Sequence, residues 1–266
     1  MRFRRFLFGA LSVALAIPGT AHSAVTISSL DRLNGSEIPL LKSTLKVLDP
    51  LVNERKAAGT APLLTFEELY APLKPEQVDF LEAVRGLDPA QFKGSSRKLP
   101  PPSAGEIFVR LDHQLLLKEG KPTPLDPQYL PQAAFGAYQK MMAAMEQDLG
   151  KRLLVESGYR SPAYQLYLFA FYMPKHGYSI RETNRYVALP GCSEHGSPKQ
   201  QAIDFITPAG INGEDRPEEF EELQEFGWLL HRAGDFGFHL SYPRGGPSAY
   251  EPWHWHWGRR ADSRDE

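Results

Sequence analysis

Apolar residues recur at helical spacing in the part of the chain that follows residue 25. Five of them share one face of a predicted helix: Leu40, Leu41, Leu45, Leu48 and Val52. Further along, Thr65 and Glu68 have the spacing of a capping box at the start of a second helix. Polar breaks separate these segments, which predicts a helical N-terminal region over residues 25–102.

Three consecutive prolines, Pro100 to Pro102, interrupt this pattern. A run of prolines favours an extended connector, because proline cannot continue a helix or a sheet ladder. We therefore expect a separate domain over residues 103–266.

The second region mixes helical and strand patterns. Pro131 opens a predicted helix that Gly150 ends, with one apolar face formed by Ala134, Tyr138, Met141, Met142, Met145 and Leu149. Residues 152–156 read as a short strand, and Ser161 with Pro162 begins the next helix.

Another helix is expected after Pro217, with Phe220, Leu223, Phe226 and Leu230 on its inner side, and strands are expected at 237–240 and 253–257. No βαβ rhythm is visible. The pattern predicts an α+β fold, a small antiparallel sheet with flanking helices.

The first 24 residues have the order of a secretory signal peptide. Three arginines, Arg2, Arg4 and Arg5, precede an apolar run over 6–17, and small residues follow up to Ala24. A spanning helix needs roughly 20 apolar residues, which this run lacks. We expect cleavage between Ala21 and Ala24, export to the periplasm or cell envelope, and no stable membrane insertion afterwards.

Composition narrows the possible chemistry. Thirty lysines and arginines stand against 32 acidic residues, and removal of the three N-terminal arginines takes the formal net charge from −2 to −5. Such a surface argues against nucleic-acid binding. Cys192 is the single cysteine, so cysteine-clustered metal sites and internal disulfides are excluded. The ligands of any metal must be His, Asp or Glu.

Arg160 lies in a polar cluster, Ser157 to Ser161, with Gln165 one turn into the following helix. A strand-to-helix junction favours anions, and a guanidinium binds a carboxylate through two hydrogen bonds. The alternative is a surface arginine beside a helix cap.

A second cluster contains Ser193, Glu194 and His195, followed by Asp204. Asp204 lies within an apolar run, where a charge is costly without a partner such as a cation. A histidine in such a place is also compatible with a hydrogen-bonded structural role.

The third cluster runs from Glu251 to Trp257. Pro252 favours an extended conformation for Glu251, and strand alternation puts His254 and His256 on the face opposite the tryptophans. The alternative is an aromatic packing strand. A metal shared with His195 and Asp204 would explain the imidazoles.

Together these motifs resemble the VanY-type zinc D-alanyl-D-alanine carboxypeptidases, a group related to lysostaphin-like enzymes and the Hedgehog domain. The resemblance covers about residues 128–258 and rests on Ser-Gly-Tyr-Arg-Ser with Gln165, Ser-Glu-His with a downstream Ala-Ile-Asp, and Glu-Pro-Trp-His. It implies one zinc ion per chain, bound by His195, Asp204 and His254.

The resemblance further implies that Glu251 is the catalytic base and that Arg160 binds substrate, helped by Gln165 and Ser193. His256 competes with His254 for the metal, and the spacing from Glu251 selects His254.

One departure from the family pattern S-x-H-x-x-G-x-A-x-D affects the metal site. Two extra residues separate His195 from Asp204, and Gln200 stands where the family has glycine. We expect residues 196–199 to absorb the insertion.

The expected function is that of an exported zinc D-alanyl-D-alanine carboxypeptidase that trims D-amino acids from peptidoglycan stem peptides. The alternatives are an endopeptidase using the same site and a catalytically silent zinc-containing cell-wall binding module. A fourth reading, with Cys192 as a thiol nucleophile and His195 as its base, leaves the Glu-Pro-Trp-His run unexplained.

Overall fold

The computed structural model describes residues 26–92, 97–118, 120–246 and 249–258. The predicted cleavage site and signal peptide lie outside these residues. Within them, no helix has the length and apolar character needed to cross a membrane.

The N-terminal region is helical, as its pattern predicts. Its α-helices are α1 (Glu37–Ala57), α2 (Phe66–Tyr70) and α3 (Pro75–Arg85). Thr65 and Glu68 form the predicted capping box at the start of α2. The buried inner face of α1 includes Leu41, Leu48 and Val52.

The proline-containing stretch before the next helix forms two antiparallel strand pairs. Strand β1 (Phe108–Leu111) pairs with β4 (Gln128–Pro131), and β2 (Leu115–Lys118) pairs with β3 (Lys121–Pro124). No alternating pattern of apolar and polar residues in this stretch is strong enough to predict these strands.

The elements around Arg160 match their prediction. Helix α4 (Gln132–Leu149) ends at Gly150, whose φ of 66° lies in the left-handed region. Strand β5 (Leu154–Ser157) leads into α5 (Pro162–Tyr172), and the Ser161 hydroxyl accepts a hydrogen bond from the Tyr164 backbone N–H. A short helix, α6 (Ile180–Thr183), follows.

A four-stranded antiparallel sheet carries the polar clusters. Its order is β5, β6 (Gln201–Ile206), β8 (His254–Trp257) and β7 (Phe238–Leu240). Asp204 lies opposite His254 on one side and opposite Ser157 on the other. This sheet and its flanking helices confirm the α+β prediction.

The prediction of one helix after Pro217 is wrong in detail. The chain forms two helices, α7 (Pro217–Glu221) and α8 (Gln224–Arg232), because Leu223 adopts an extended conformation between them. This break shifts the phase of the buried face. Leu229 is therefore buried, and Leu230, which we expected inside, is 54% exposed.

The N-terminal helices share an apolar core with α5. This core includes Leu41, Phe80, Leu166 and Phe169. A second core joins the four-stranded sheet to α4 and α8. The domain boundary at residue 102 stays a prediction.

Candidate active site

His195 lies in a 3₁₀ turn, Glu194–Gly196, and is 1% exposed. The segment between β5 and α5 holds it at two points. The carbonyl of Gly158 lies 2.7 Å from His195 Nδ1, and the Arg160 backbone N–H donates to the His195 carbonyl at 2.9 Å. The strand-to-helix junction that carries Arg160 therefore also fixes the ring of His195.

The two-residue insertion is accommodated between His195 and β6. A second 3₁₀ turn, Pro198–Gln200, follows the first and leads directly into the strand. Asp204 then faces His195, with Oδ2 3.1 Å from Nε2. The extra residues do not separate the two side chains.

His254 completes a group around Asp204. Its Nδ1 lies 2.9 Å from Asp204 Oδ1, and its ring is nearly perpendicular to that of His195, with centroids 5.0 Å apart. One ligand atom from each of His195, Asp204 and His254 lies within 4.8 Å of the others. This spacing allows a single ion to contact all three side chains.

The hydrogen bonds of His195 show that this group suits a cation. Since Nδ1 donates its proton to the Gly158 carbonyl, Nε2 carries a lone pair. Nε2 is buried without a hydrogen-bond partner among the described residues, although Asp204 Oδ2 is close. Two acceptors facing each other in a buried site are repulsive unless a positive ion lies between them.

The charges of the group lead to the same requirement. Burial, reinforced by the Arg160 charge, lowers the pKa of His195 to about 4. Burial alone would raise the pKa of Asp204 and lower that of His254. The interactions of Asp204 with both histidines keep its own pKa well below the usual range, and Asp204 with Glu194 raises that of His254 to about 10. The metal-free site therefore holds a proton on His254, which a divalent cation would replace.

Glu251 lies beside the group, just before β8. Its Oε2 is 3.8 Å from His254 Nδ1, and its backbone N–H donates to the Tyr242 carbonyl at 3.1 Å. Burial raises the pKa of Glu251 to about 7, and the Asp204 charge adds to this effect although His254 opposes it. A carboxylate with such a pKa can both take and return a proton near neutral pH.

Arg160 is partly buried, and its Nε has no hydrogen-bond partner among the described residues. Its charge lowers the pKa values of His195 and Glu251, so the guanidinium lies near the site. Its backbone is at the predicted junction. The Nε–H donor is therefore available for an anionic ligand.

The two expected helper residues show no hydrogen bond to the His195, Asp204 and His254 group within the described chain. Gln165 is 2% exposed and donates from Nε2 to the Ala188 carbonyl at 2.7 Å. Ser193 is 8% exposed and precedes the turn of His195. Their substrate-binding roles stay predictions.

His256, the competing imidazole, lies outside the group. Its Nδ1 is 2.9 Å from Ser241 Oγ and 3.9 Å from Glu194 Oε1. Glu194 in turn lies 3.0 Å from His254 Nε2. The sequence motifs indicated no role for Glu194 or Ser241. The available signal for Glu194 was its position as an acidic residue directly before His195.

Cys192 is buried, and burial raises the pKa of its thiol. A nucleophilic cysteine needs the opposite shift, toward the thiolate. The structure gives the thiol hypothesis no support.

Two histidines and an aspartate around one point, with a glutamate beside them, match the donor set that mononuclear metallohydrolases use. Within that class, the chain belongs to the VanY family of D-alanyl-D-alanine carboxypeptidases. The model of this family matches residues 127–259, which is half of the chain and contains all three polar clusters.

Two curated relatives are similar to the same part of the chain. The bifunctional D-Ala-D-Ala dipeptidase and D-Ala-D-Ala carboxypeptidase VanXYC of Enterococcus gallinarum is 30% identical over 118 residues, which cover 40% of this chain and 56% of the relative. The putative carboxypeptidase YodJ of Bacillus subtilis (strain 168) is 29% identical over 134 residues, 49% of this chain and 46% of the relative. The chain thus spans about half the length of these relatives.

Among solved structures, the LD-carboxypeptidase LdcB is similar, with 24% identity and a TM-score of 0.47. The match covers 62% of this chain and 74% of that one.

Proposed function

We propose that this protein is an exported zinc carboxypeptidase that removes the terminal D-alanine from peptidoglycan stem peptides. The observation that carries the proposal is the meeting of His195, Asp204 and His254 within 4.8 Å, with the Glu251 carboxylate beside them. Membership of the VanY family supports the substrate class.

His195 Nε2, an oxygen of Asp204 and His254 Nδ1 would hold the zinc ion. When bound, zinc supplies a Lewis acid for the scissile carbonyl and lowers the pKa of a coordinated water. The neutral His195 and the ionised Asp204 are already in the protonation states that ligation needs.

Glu251 accepts the proton of the attacking water and returns it to the leaving amine. Its position beside His254 and its pKa of about 7 suit both steps, because a base of this strength changes protonation state at little cost near neutral pH. A catalytically silent binding module would have no use for such a carboxylate.

Arg160 binds the substrate through its terminal carboxylate or scissile carbonyl. The support is a cation close to His195 and Glu251 whose Nε has no hydrogen-bond partner in the part of the chain that the structure describes. A guanidinium offers two parallel donors, which matches a carboxylate and favours a free chain end over a peptide in mid-chain. This feature favours the exopeptidase over the endopeptidase.

Export rests on the sequence of residues 1–24. The peptidoglycan substrate lies outside the cytoplasmic membrane, so location and activity are mutually consistent. Intact-mass measurement of the protein recovered from the envelope fraction should give a chain that begins between His22 and Val25. An uncleaved chain in the membrane fraction would contradict the proposal.

Incubation with defined muropeptides tests the activity. The zinc-loaded protein should shorten a pentapeptide stem by one alanine, as read by product mass, and a chelator should stop the reaction until zinc is restored. Cleavage of cross-linked dimers with no release of terminal alanine would instead identify an endopeptidase. Cleavage only of bonds in which the terminal residue follows an L-residue would exclude D,D specificity.

A further inference from the structure

We infer that Glu194 is a positioning residue that decides which nitrogen of His254 faces the metal. The inference rests on the proposed metal site. It assigns to Glu194 a role that the sequence motifs did not indicate.

The contact between Glu194 and His254 fixes the proton on the ring. Glu194 Oε2 lies 3.0 Å from His254 Nε2. An ionised carboxylate only accepts hydrogen bonds, so Nε2 must carry the proton that is shared with it. Nδ1, which lies 2.9 Å from Asp204 Oδ1, is then the nitrogen left to face a metal, and an ion bound there would replace the Nδ1 proton.

Glu194 is itself held in place. Ser241, directly after β7, donates its hydroxyl proton to Glu194 Oε2 at 2.6 Å. Because that proton is committed, Ser241 Oγ accepts from His256 Nδ1 at 2.9 Å. The second imidazole of the Glu-Pro-Trp-His-Trp-His run thus supports Glu194 through Ser241.

Each of the two metal-facing imidazoles is oriented by a hydrogen bond from its other nitrogen, but the two acceptors differ. The Gly158 carbonyl accepts from His195 Nδ1 and leaves Nε2 for the ion. A carboxylate in this outer position also increases the basicity of the ring that it orients, which a neutral carbonyl does less strongly. Because Glu194 and His195 are consecutive, one 3₁₀ turn provides a ligand and orients the other histidine.

Substitution of Glu194 by glutamine tests the inference. The side chain keeps its size, but its amide group can donate to His254 Nε2 and so favour the wrong tautomer. We expect the zinc dissociation constant of E194Q, measured by competition with a chromophoric chelator, to rise about 10- to 100-fold. Glu76→Gln, an exposed position on α3, is the matched control and should leave it unchanged.

A spectroscopic readout separates positioning from general stability. In the zinc-loaded parent, ¹⁵N NMR should show the His254 proton on Nε2 and the metal at Nδ1, and in E194Q the Nε2 proton signal should weaken or move. An E194Q zinc affinity within twofold of the parent, with the same His254 tautomer, would overturn the inference. A parent that binds no zinc would instead contradict the proposed function.

Ser241→Ala provides a second variant if E194Q does not fold. It removes the hydroxyl that holds Glu194 but leaves the carboxylate and both histidines. Weaker zinc binding than the parent supports the inference, and unchanged binding contradicts it.

Discussion

Each histidine of the proposed metal site has one nitrogen held by a protein acceptor outside the site, and this arrangement determines which nitrogen is left to face an ion. His195 is bound to the Gly158 carbonyl, and His254 to the Glu194 carboxylate. The rings of both histidines are therefore held in the orientation that a metal needs, and binding would require only that the ion replace the Nδ1 proton of His254.

Residue types and spacing could predict His195, Asp204, His254 and Glu251 because these side chains lie in short motifs. They could not predict Glu194 as the partner of His254, because 60 residues separate the two along the chain. Which imidazole lies beside Asp204 depends on the register of β6 and β8, which no local pattern shows.

Glu251→Gln should leave zinc bound and reduce turnover about 100- to 10,000-fold. The amide keeps the size of the carboxylate but cannot accept the proton of the attacking water. Zinc content by atomic absorption and the rate of D-alanine release check this expectation. Near-normal turnover of the zinc-loaded variant would contradict the role of Glu251.

Arg160→Lys should lower kcat/KM at least tenfold, about 1.4 kcal/mol of transition-state stabilisation, because a single ammonium lacks the forked geometry. Melting temperature and zinc content should stay near the parent values. Peptides with a free or an amidated C-terminus provide the comparison. Equal cleavage of both by the parent would show that the guanidinium does not read the chain end.

At the level of the secondary-structure elements, the antiparallel pairing of β6 with β8 places Asp204 opposite His254. Strand alternation along β8 correctly predicted that His254 and His256 lie on one face. The pairing of β8 with β6, however, places a different residue opposite each of them. Asp204 faces the first, whereas Ala202 lies opposite the second. Cross-strand register is a tertiary property, so the sequence alone left the choice to motif spacing.

Helices α7 and α8 show the same limit on a local pattern. A continuous helix would bury Leu230, but the break at Leu223 turns Leu229 inward. Leu229→Ala should therefore reduce the free energy of unfolding by about 2–5 kcal/mol. Leu230→Ala should change it by no more than about 0.5 kcal/mol. Urea denaturation of both variants checks this pair, and a larger loss in Leu230→Ala would contradict the phase shift.

In the molecule as a whole, the segment between α1 and α2 contacts the strand-to-helix junction at Arg160, although the family match begins only at residue 127. The carbonyls of Pro62 and Leu64 accept hydrogen bonds from the backbone N–H and the hydroxyl of Ser161. Ser161 follows Arg160, so the region before residue 102 supports the junction that holds His195. Sequence patterns predicted its helices but not this packing, which depends on contacts about 100 residues apart along the chain.

A substitution inside the N-terminal core should therefore also destabilise the region that carries His195, Asp204 and His254. Phe80 on α3 is fully buried in the core that includes α5, and Phe80→Ala should cost about 3–5 kcal/mol. We expect secondary structure and zinc binding to be lost in one transition on heating. Glu76→Ala on the same helix is the exposed control. Separate transitions for the two signals would show that the regions unfold independently.

The metal content of single variants is the direct test of the metal site. One zinc ion per chain should be found in the parent and in His256→Ala, and none should be retained after dialysis of His195→Ala, Asp204→Ala or His254→Ala. These expectations follow from the 4.8 Å group and from the place of His256 outside it. Full zinc occupancy in His254→Ala together with loss in His256→Ala would contradict the assignment of the site.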